Sequence, residues 1–149
     1  MEQFANGFNT KAKTKTPMVV GVAGGTGSGK TTVIQEIVKT LGSQDVVVIA
    51  HDSYYKDRSH LPIAERANVN YDQPDALDTA LLIQHVKQLL TGQPARVPIY
   101  DFSTHTRKSE YRLVKPTKVI LVEGILILAN EELRSLFDIK IFVAITNDD

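Results

Sequence analysis

The sequence predicts an α/β fold: a parallel sheet with helices on both faces, three layers in all, and a small β-hairpin inserted. Three observations carry this expectation. Short apolar runs at residues 18–22, 46–50, 119–122 and 140–145 read as buried strands. Amphipathic stretches lie between them, and strand–helix–strand with short links implies a parallel, right-handed crossover. Two further short strands, 97–100 and 111–114, flank a polar link and read as a hairpin off the main sheet.

Each element has a local reason. The first strand, 18–22, is bounded by Pro17 and by glycines. After those glycines Val33, Ile34, Ile37, Val38 and Leu41 recur at helical spacing, and Gly42 sits where a C-terminal cap belongs. Residues 46–50 form the second strand. Residues 51–75 are polar and aromatic without a clear period, which predicts a long loop of the kind that usually serves function. Asp78 is placed to cap a helix over 79–90, with Leu82, Ile83, Val86, Leu89 and Leu90 on its apolar face and Gly92 ending it. The run at 119–122 is the third strand, 130–137 a short helix and 140–145 a fourth strand. Residues 17–149 read as one domain behind a polar tail, 1–16, whose lysines alternate with small residues.

Composition excludes several classes. The 149 residues are 42% hydrophobic and 23% charged, and 17 basic side chains balance 17 acidic ones. No bulk basic field is available for a nucleic acid or an anionic membrane, so local geometry must hold any anion. The chain has no cysteine, which rules out disulfides, thiolate metal sites and a cysteine nucleophile. The longest apolar run, 119–129, is broken by Glu123 and Gly124 and falls short of the roughly 20 residues of a membrane span. A soluble, cytoplasmic protein is expected.

The stretch GVAGGTGSGKTT, residues 21–32, carries the strongest chemical signal. Gly24, Gly25, Thr26, Gly27, Ser28, Gly29, Lys30 and Thr31 satisfy G-x-x-x-x-G-K-[ST] at every fixed position. Phosphate oxygens need several donors converging on one point, and backbone N–H groups free of Cβ crowding can wrap that closely. The helix that follows, with Lys30, Thr31 and Thr32 in its first turn, aims unpaired N–H groups and the positive end of its dipole at the same anion. Lys30 adds a mobile charge for the terminal phosphates, and Thr31 offers a hydroxyl to Mg²⁺. The motif predicts a nucleoside triphosphate, ATP or GTP, as ligand.

Two carboxylates fall where a parallel sheet places its ligands, beyond the carboxyl ends of its strands. Asp52 lies two residues past the second strand and Glu123 directly follows the third. Either can reach Mg²⁺ directly or through water, and either can equally cap a turn. A GTP-hydrolysing switch would need N-K-x-D and D-x-x-G segments, and neither is present. A kinase needs a polar, aromatic acceptor pocket with a base, and HDSYYKD, residues 51–57, offers both.

With these residues in view, the chain resembles the uridine kinase (uridine–cytidine kinase) family of P-loop kinases. The resemblance rests on five stretches in family order: GVAGGTGSGKTT, HDSYYKD, NYDQPDALD, PIYDFSTHTR and VILVEGILIL. It implies phosphorylation of the 5′-hydroxyl of uridine or cytidine, a step of pyrimidine salvage. Lys30 and Thr31 would hold the ATP phosphates and Mg²⁺. Asp52 would contact the ribose and take the hydroxyl proton, and Glu123 would help fix the metal. Tyr55 and Asp72 would line the nucleoside pocket, while Tyr100, Phe102 and His105 would stack on and hydrogen-bond the pyrimidine. From spacing alone Tyr100 and Phe102 are equally hairpin core, His105 a solvated loop residue and Tyr54 packing. His60 and His85 read as surface residues.

The resemblance also implies an arginine-rich lid, a further strand and helix, and a homotetramer. The chain reads as incomplete at its C-terminus, where AITNDD departs from the family's acidic turn at Ala144. Arg58, Arg66 and Arg107 are the loop arginines that could compensate for the lid. Two alternatives stay open: a nucleotide- or nucleoside-binding fragment without turnover, and a related kinase acting on pantothenate or ribulose phosphate.

Overall fold

The computed structural model describes residues 17–144, apart from Thr26 and Asp72. The expectations for the 1–16 tail, for Thr26 and Asp72 and for residues beyond 144 lie outside the described residues. Four strands, β1 (Met18–Ala23), β2 (Val46–Ala50), β5 (Val119–Gly124) and β6 (Ile139–Phe142), form one sheet in the order β2-β5-β1-β6. Every pairing is parallel, with Val22 beside Glu123 and Ala50 also beside Glu123. A parallel sheet delivers all its carboxyl ends to one edge. That edge gathers the glycine loop after β1, the turn after β2 and the end of β5.

Strand alternation divides the core in two. Val19, Ile49, Ile120 and Val122 face α3 (Thr79–Leu90), whose Leu82, Ile83, Val86 and Leu89 are buried against them. Each such side chain contributes about 1.5–3 kcal/mol on leaving water. Val20, Val22, Val46 and Leu121 face α1 (Lys30–Leu41), which meets them with Ile34, Ile37 and Val38. Residue 123 shares the parity of 121, so Glu123 projects to the α1 face, where Lys30 begins the helix.

The caps follow the sequence reading. The Asp78 carboxylate accepts from the Leu81 N–H, and Gly42 closes α1 at φ 98° with its N–H bonded to the Val38 carbonyl. The hairpin of β3 (Ala95–Asp101) and β4 (Thr106–Val114) is an antiparallel pair separate from the main sheet. Its strands are longer than the apolar runs suggested. Its polar outer face gave no periodic signal, and backbone pairing extends the strands there.

Four expectations need correction. Residues 51–75 are partly ordered into short helices: 3₁₀ turns at His51–Tyr54 and Pro74–Ala76, and the single turn α2 (Ile63–Arg66). Such one-turn pieces are too short to show a period. The helix at 130–137 narrows to α4 (Glu131–Ser135), capped by Asn130. The fourth strand is β6, ending at Phe142. Finally, His85 is buried rather than exposed, 5% accessible, because its Nδ1 shares a 2.8 Å hydrogen bond with the Tyr54 hydroxyl in the core. His60 is exposed, as expected.

Candidate active site

The glycine loop leaves β1 at Gly24 and enters α1 at Lys30. Gly27 and Gly29 have φ of 82° and 91°, values at which any Cβ is strained. A side chain at Gly24 would press within 2.8 Å of the Val143 carbonyl, because the chain after β6 runs alongside. Among the described residues, Ser28 Oγ is buried without a hydrogen-bond partner. The first turn of α1 carries no acid, and Gly29 provides no side-chain cap. The backbone N–H groups of the helix end therefore meet no side-chain cap and no acid in their own turn, a donor set that fits the phosphates of a nucleotide.

Within a cavity of about 550 Å³, Gly25, Gly27, Gly29 and Thr31 face Lys30, Asp52 and Glu123. Lys30 Nζ donates to Glu123 Oε1 at 2.7 Å, and both side chains are mostly buried. Glu123 is the penultimate residue of β5 rather than the first residue after the strand, since the ladder to β1 and β2 runs through it. Its role was expected to be metal binding; what the structure shows is its pairing with the loop lysine. No group of three or more His, Asp or Glu side chains among the described residues could hold a metal ion unaided. Thr31 and Glu123 line the same cavity, so a hydroxyl and a carboxylate stand there as the groups that would hold Mg²⁺, directly or through water, beside a bound phosphate.

Asp52 sits in the 3₁₀ turn, open to solvent on its cleft side. Partial burial raises its carboxyl above the usual carboxylate range, the Glu123 charge adds to this, and Lys30 opposes it. Asp52 also lines a second cavity of about 250 Å³ together with His51, Tyr55, Tyr71, Leu77 and Leu126. One carboxyl is thus common to the loop cavity and to an aromatic pocket. His51 is 2% exposed; burial lowers its pKa to about 4 and keeps the imidazole neutral.

The aromatic residues foreseen in separate stretches come together. Tyr55 lies 5.3 Å from Tyr100 and 6.3 Å from Phe102. Tyr100 is buried in the hairpin floor, whereas Phe102 lies in the turn beyond β3 and is 58% exposed. His105 adopts φ 53° in that turn and stacks on Tyr71 at 5.0 Å. Tyr71 was not among the foreseen site residues. It touches Tyr55 edge-on at 5.3 Å and donates its hydroxyl proton to the Arg66 carbonyl. Its place in the NYDQPDALD stretch was the signal available.

Arg66 and Arg107, expected in loops, lie at the end of α2 and in β4, and both are committed elsewhere. Arg66 donates to the carbonyls of Leu61, Thr104 and Ser59. Arg107 donates to the Tyr55 carbonyl and stands 3.9 Å from the Asp78 carboxylate. Arg66 thus ties the 59–61 loop to the hairpin turn at Thr104, and Arg107 ties β4 to Tyr55 at the exit of the turn that carries Asp52; neither lines the loop cavity.

Comparison with known proteins agrees with this architecture. The family described as Phosphoribulokinase / Uridine kinase matches residues 19–148. The chain is 52% identical over 129 residues to a uridine kinase of Clostridium tetani, a match that covers 87% of this chain and 62% of that protein. It is 53% identical over 129 residues to a uridine kinase of Halalkalibacterium halodurans, covering 87% and 61%. The chain therefore spans about three fifths of the length of these relatives. A solved structure described as a "Possible Uridine Kinase" from Bacillus stearothermophilus superposes with a TM-score of 0.68 at 24% identity, covering 94% of this chain and 80% of that one. Phosphoribulokinase from Rhodobacter spheroides superposes at 0.66 and 16% identity, covering 86% and 51%. These two structures speak to the fold alone. With its P-loop, its parallel β2-β5-β1-β6 sheet and a family match over most of its length, the chain belongs to the Phosphoribulokinase / Uridine kinase family.

Proposed function

We propose that this chain forms the core of a nucleoside kinase that transfers the terminal phosphoryl group of ATP to the 5′-hydroxyl of uridine or cytidine. The carrying observation is that Asp52 is shared by the glycine-loop cavity and the aromatic pocket. The names of the relatives, uridine kinase in both, support the acceptor class.

The residues divide the work by position. The loop amides and the α1 terminus bind the phosphates, with Ser28 Oγ and Lys30 Nζ as further donors. Bound Mg·ATP supplies the transferable group and the metal charge that offsets its oxygens. Lys30, now paired with Glu123, would turn to the phosphates, and Glu123 would then be free to help hold the metal. Tyr55 and Tyr71 line the pocket beside Asp52 and offer aromatic faces for a pyrimidine, Tyr100, Phe102 and His105 pack against them, and Asp72 follows Tyr71 in sequence. Asp52 accepts the proton of the 5′-hydroxyl as that oxygen bonds to phosphorus; its raised affinity for a proton suits a general base. We infer a role in pyrimidine salvage from that chemistry. No helix among the described residues is long and apolar enough to cross a membrane.

The test combines binding and turnover. Lys30→Ala should abolish stabilisation by Mg·ATP, about 2.7 kcal/mol at 100 times Kd, and leave uridine binding intact. Asp52→Asn should keep both ligands and lower ADP release about 10²–10⁴-fold. Undiminished turnover in Asp52→Asn would remove the base assignment. A second reading, binding without turnover, is favoured by the commitment of Arg66 and Arg107 to carbonyl oxygens. It predicts stabilisation by Mg·ATP and uridine with no ADP formed.

A further inference from the structure

His51 takes no part in the chemistry above, yet it stands where the site's three supports meet. Its backbone continues β2 past Ala50, which pairs with Glu123, so its side chain lies across the next residue of β5, Gly124. A Cβ built on Gly124 would come within 2.7 Å of the His51 Cβ and 3.5 Å of its Cγ. Only a glycine leaves room for the His51 side chain this close to the strand end directly after Glu123. On its far side, Nε2 shares a 3.0 Å hydrogen bond with the hydroxyl of Thr79, the first residue of α3.

The same ring is also a partition. With Leu77 and Leu126, it separates the aromatic pocket from a cavity of about 320 Å³ behind it. Asp52 is the next residue along the chain. The 3₁₀ turn holding both is otherwise anchored at its exit, where the Asp78 N–H donates to the Tyr54 carbonyl and the Lys56 N–H to the Ala76 carbonyl.

We propose that His51 is a positioning residue: wedged between Gly124 and Thr79, its imidazole sets where the Asp52 carboxyl stands relative to the Lys30–Glu123 pair and closes the back of the acceptor pocket. Without the ring, the turn loses its backing and the two cavities run together. The reacting oxygen and its base are then no longer held in line. Misplacement by about 1 Å is enough to cost about 10²-fold in rate.

The consequence for rate rests on the kinase reading, whereas the wedge is measurable without it. The test compares His51→Ala, His51→Gln and the near-isosteric Thr79→Val. Amide hydrogen exchange is followed at Lys56 and Asp78, with Met18 and Val119, hydrogen-bonded at the opposite sheet edge, as internal controls. His51→Ala should speed exchange at Lys56 and Asp78 about tenfold or more and leave the controls unchanged. His51→Gln, which keeps a neutral hydrogen-bonding group near the Nε2 position, should restore slow exchange, and Thr79→Val should fall between. In the ADP-release assay with uridine, His51→Ala should lower kcat about 10²-fold at constant KM for ATP, with recovery in His51→Gln.

Unchanged exchange in His51→Ala, or a uniform rise that includes Met18 and Val119, would overturn the proposal. So would a His51→Gln variant as impaired as His51→Ala. Absence of uridine-dependent ADP release from the unmutated chain would instead sink the kinase reading, and the exchange comparison would still decide the wedge.

Discussion

Acidification should destabilise this protein through His51. In the fold the imidazole is almost wholly buried and its pKa is held to about 4, against 6.5 for an exposed histidine. Between those values the unfolded chain binds a proton that the folded chain excludes. Stability therefore rises with pH across that window and is lost as pH falls from about 6.5 toward 4. The whole window is worth about 3 kcal/mol, and the step from pH 7 to pH 5 about 2 kcal/mol. That is a large share of the roughly 5–15 kcal/mol that holds a domain together. Burial lowers the His85 pKa as well, with the Asp78 carboxylate opposing, so its contribution has the same sign. Asp52 has the reverse sign: its raised pKa lets the folded state take up a proton more readily, which offsets part of the loss. Urea unfolding at pH 7, 6, 5.5 and 5 on the unmutated chain and on His51→Gln isolates the His51 share, because other groups titrate in both. The difference between the two curves should narrow or change sign by about 2 kcal/mol on going to pH 5. Parallel curves would refute the reasoning.

Two packing predictions follow. A Cβ at Gly21 would lie 2.6–2.9 Å from the Phe137 ring, so Gly21→Ala should cost about 1–3 kcal/mol in urea unfolding, and adding Phe137→Leu should recover part of it. Tyr54→Phe removes the hydroxyl that meets His85 Nδ1 and leaves a buried polar atom unpaired; a loss of about 1–3 kcal/mol is expected, with His85→Leu restoring part of it in the double variant.

The phosphate loop and its neighbours were legible in the sequence because their signals are local. A loop that must expose amides and take left-handed φ at Gly27 and Gly29 advertises itself in eight consecutive residues. The strands and α3 announce themselves by period, and Asp78 and Gly42 by capping chemistry. The family resemblance placed Tyr55, Tyr100, Phe102 and His105 near one another. The Tyr71–His105 stack that completes the cluster was not foreseen. His85 was misjudged because a lone histidine on a helix says nothing about the tyrosine 31 residues away that buries it. Arg66 and Arg107 gave no sign that carbonyl oxygens would occupy them.

By itself, then, the sequence determined the repeating strand–helix architecture, the anion-binding loop and the family to which the chain belongs. Tertiary structure alone decided that Lys30 meets Glu123 across 93 residues, that Asp52 serves two cavities, and that His51 lies on Gly124. The physical reason is the strand order β2-β5-β1-β6. It brings distant segments to one sheet edge through backbone pairing, and neither hydrophobic period nor turn chemistry within any one segment encodes which strand will be its neighbour.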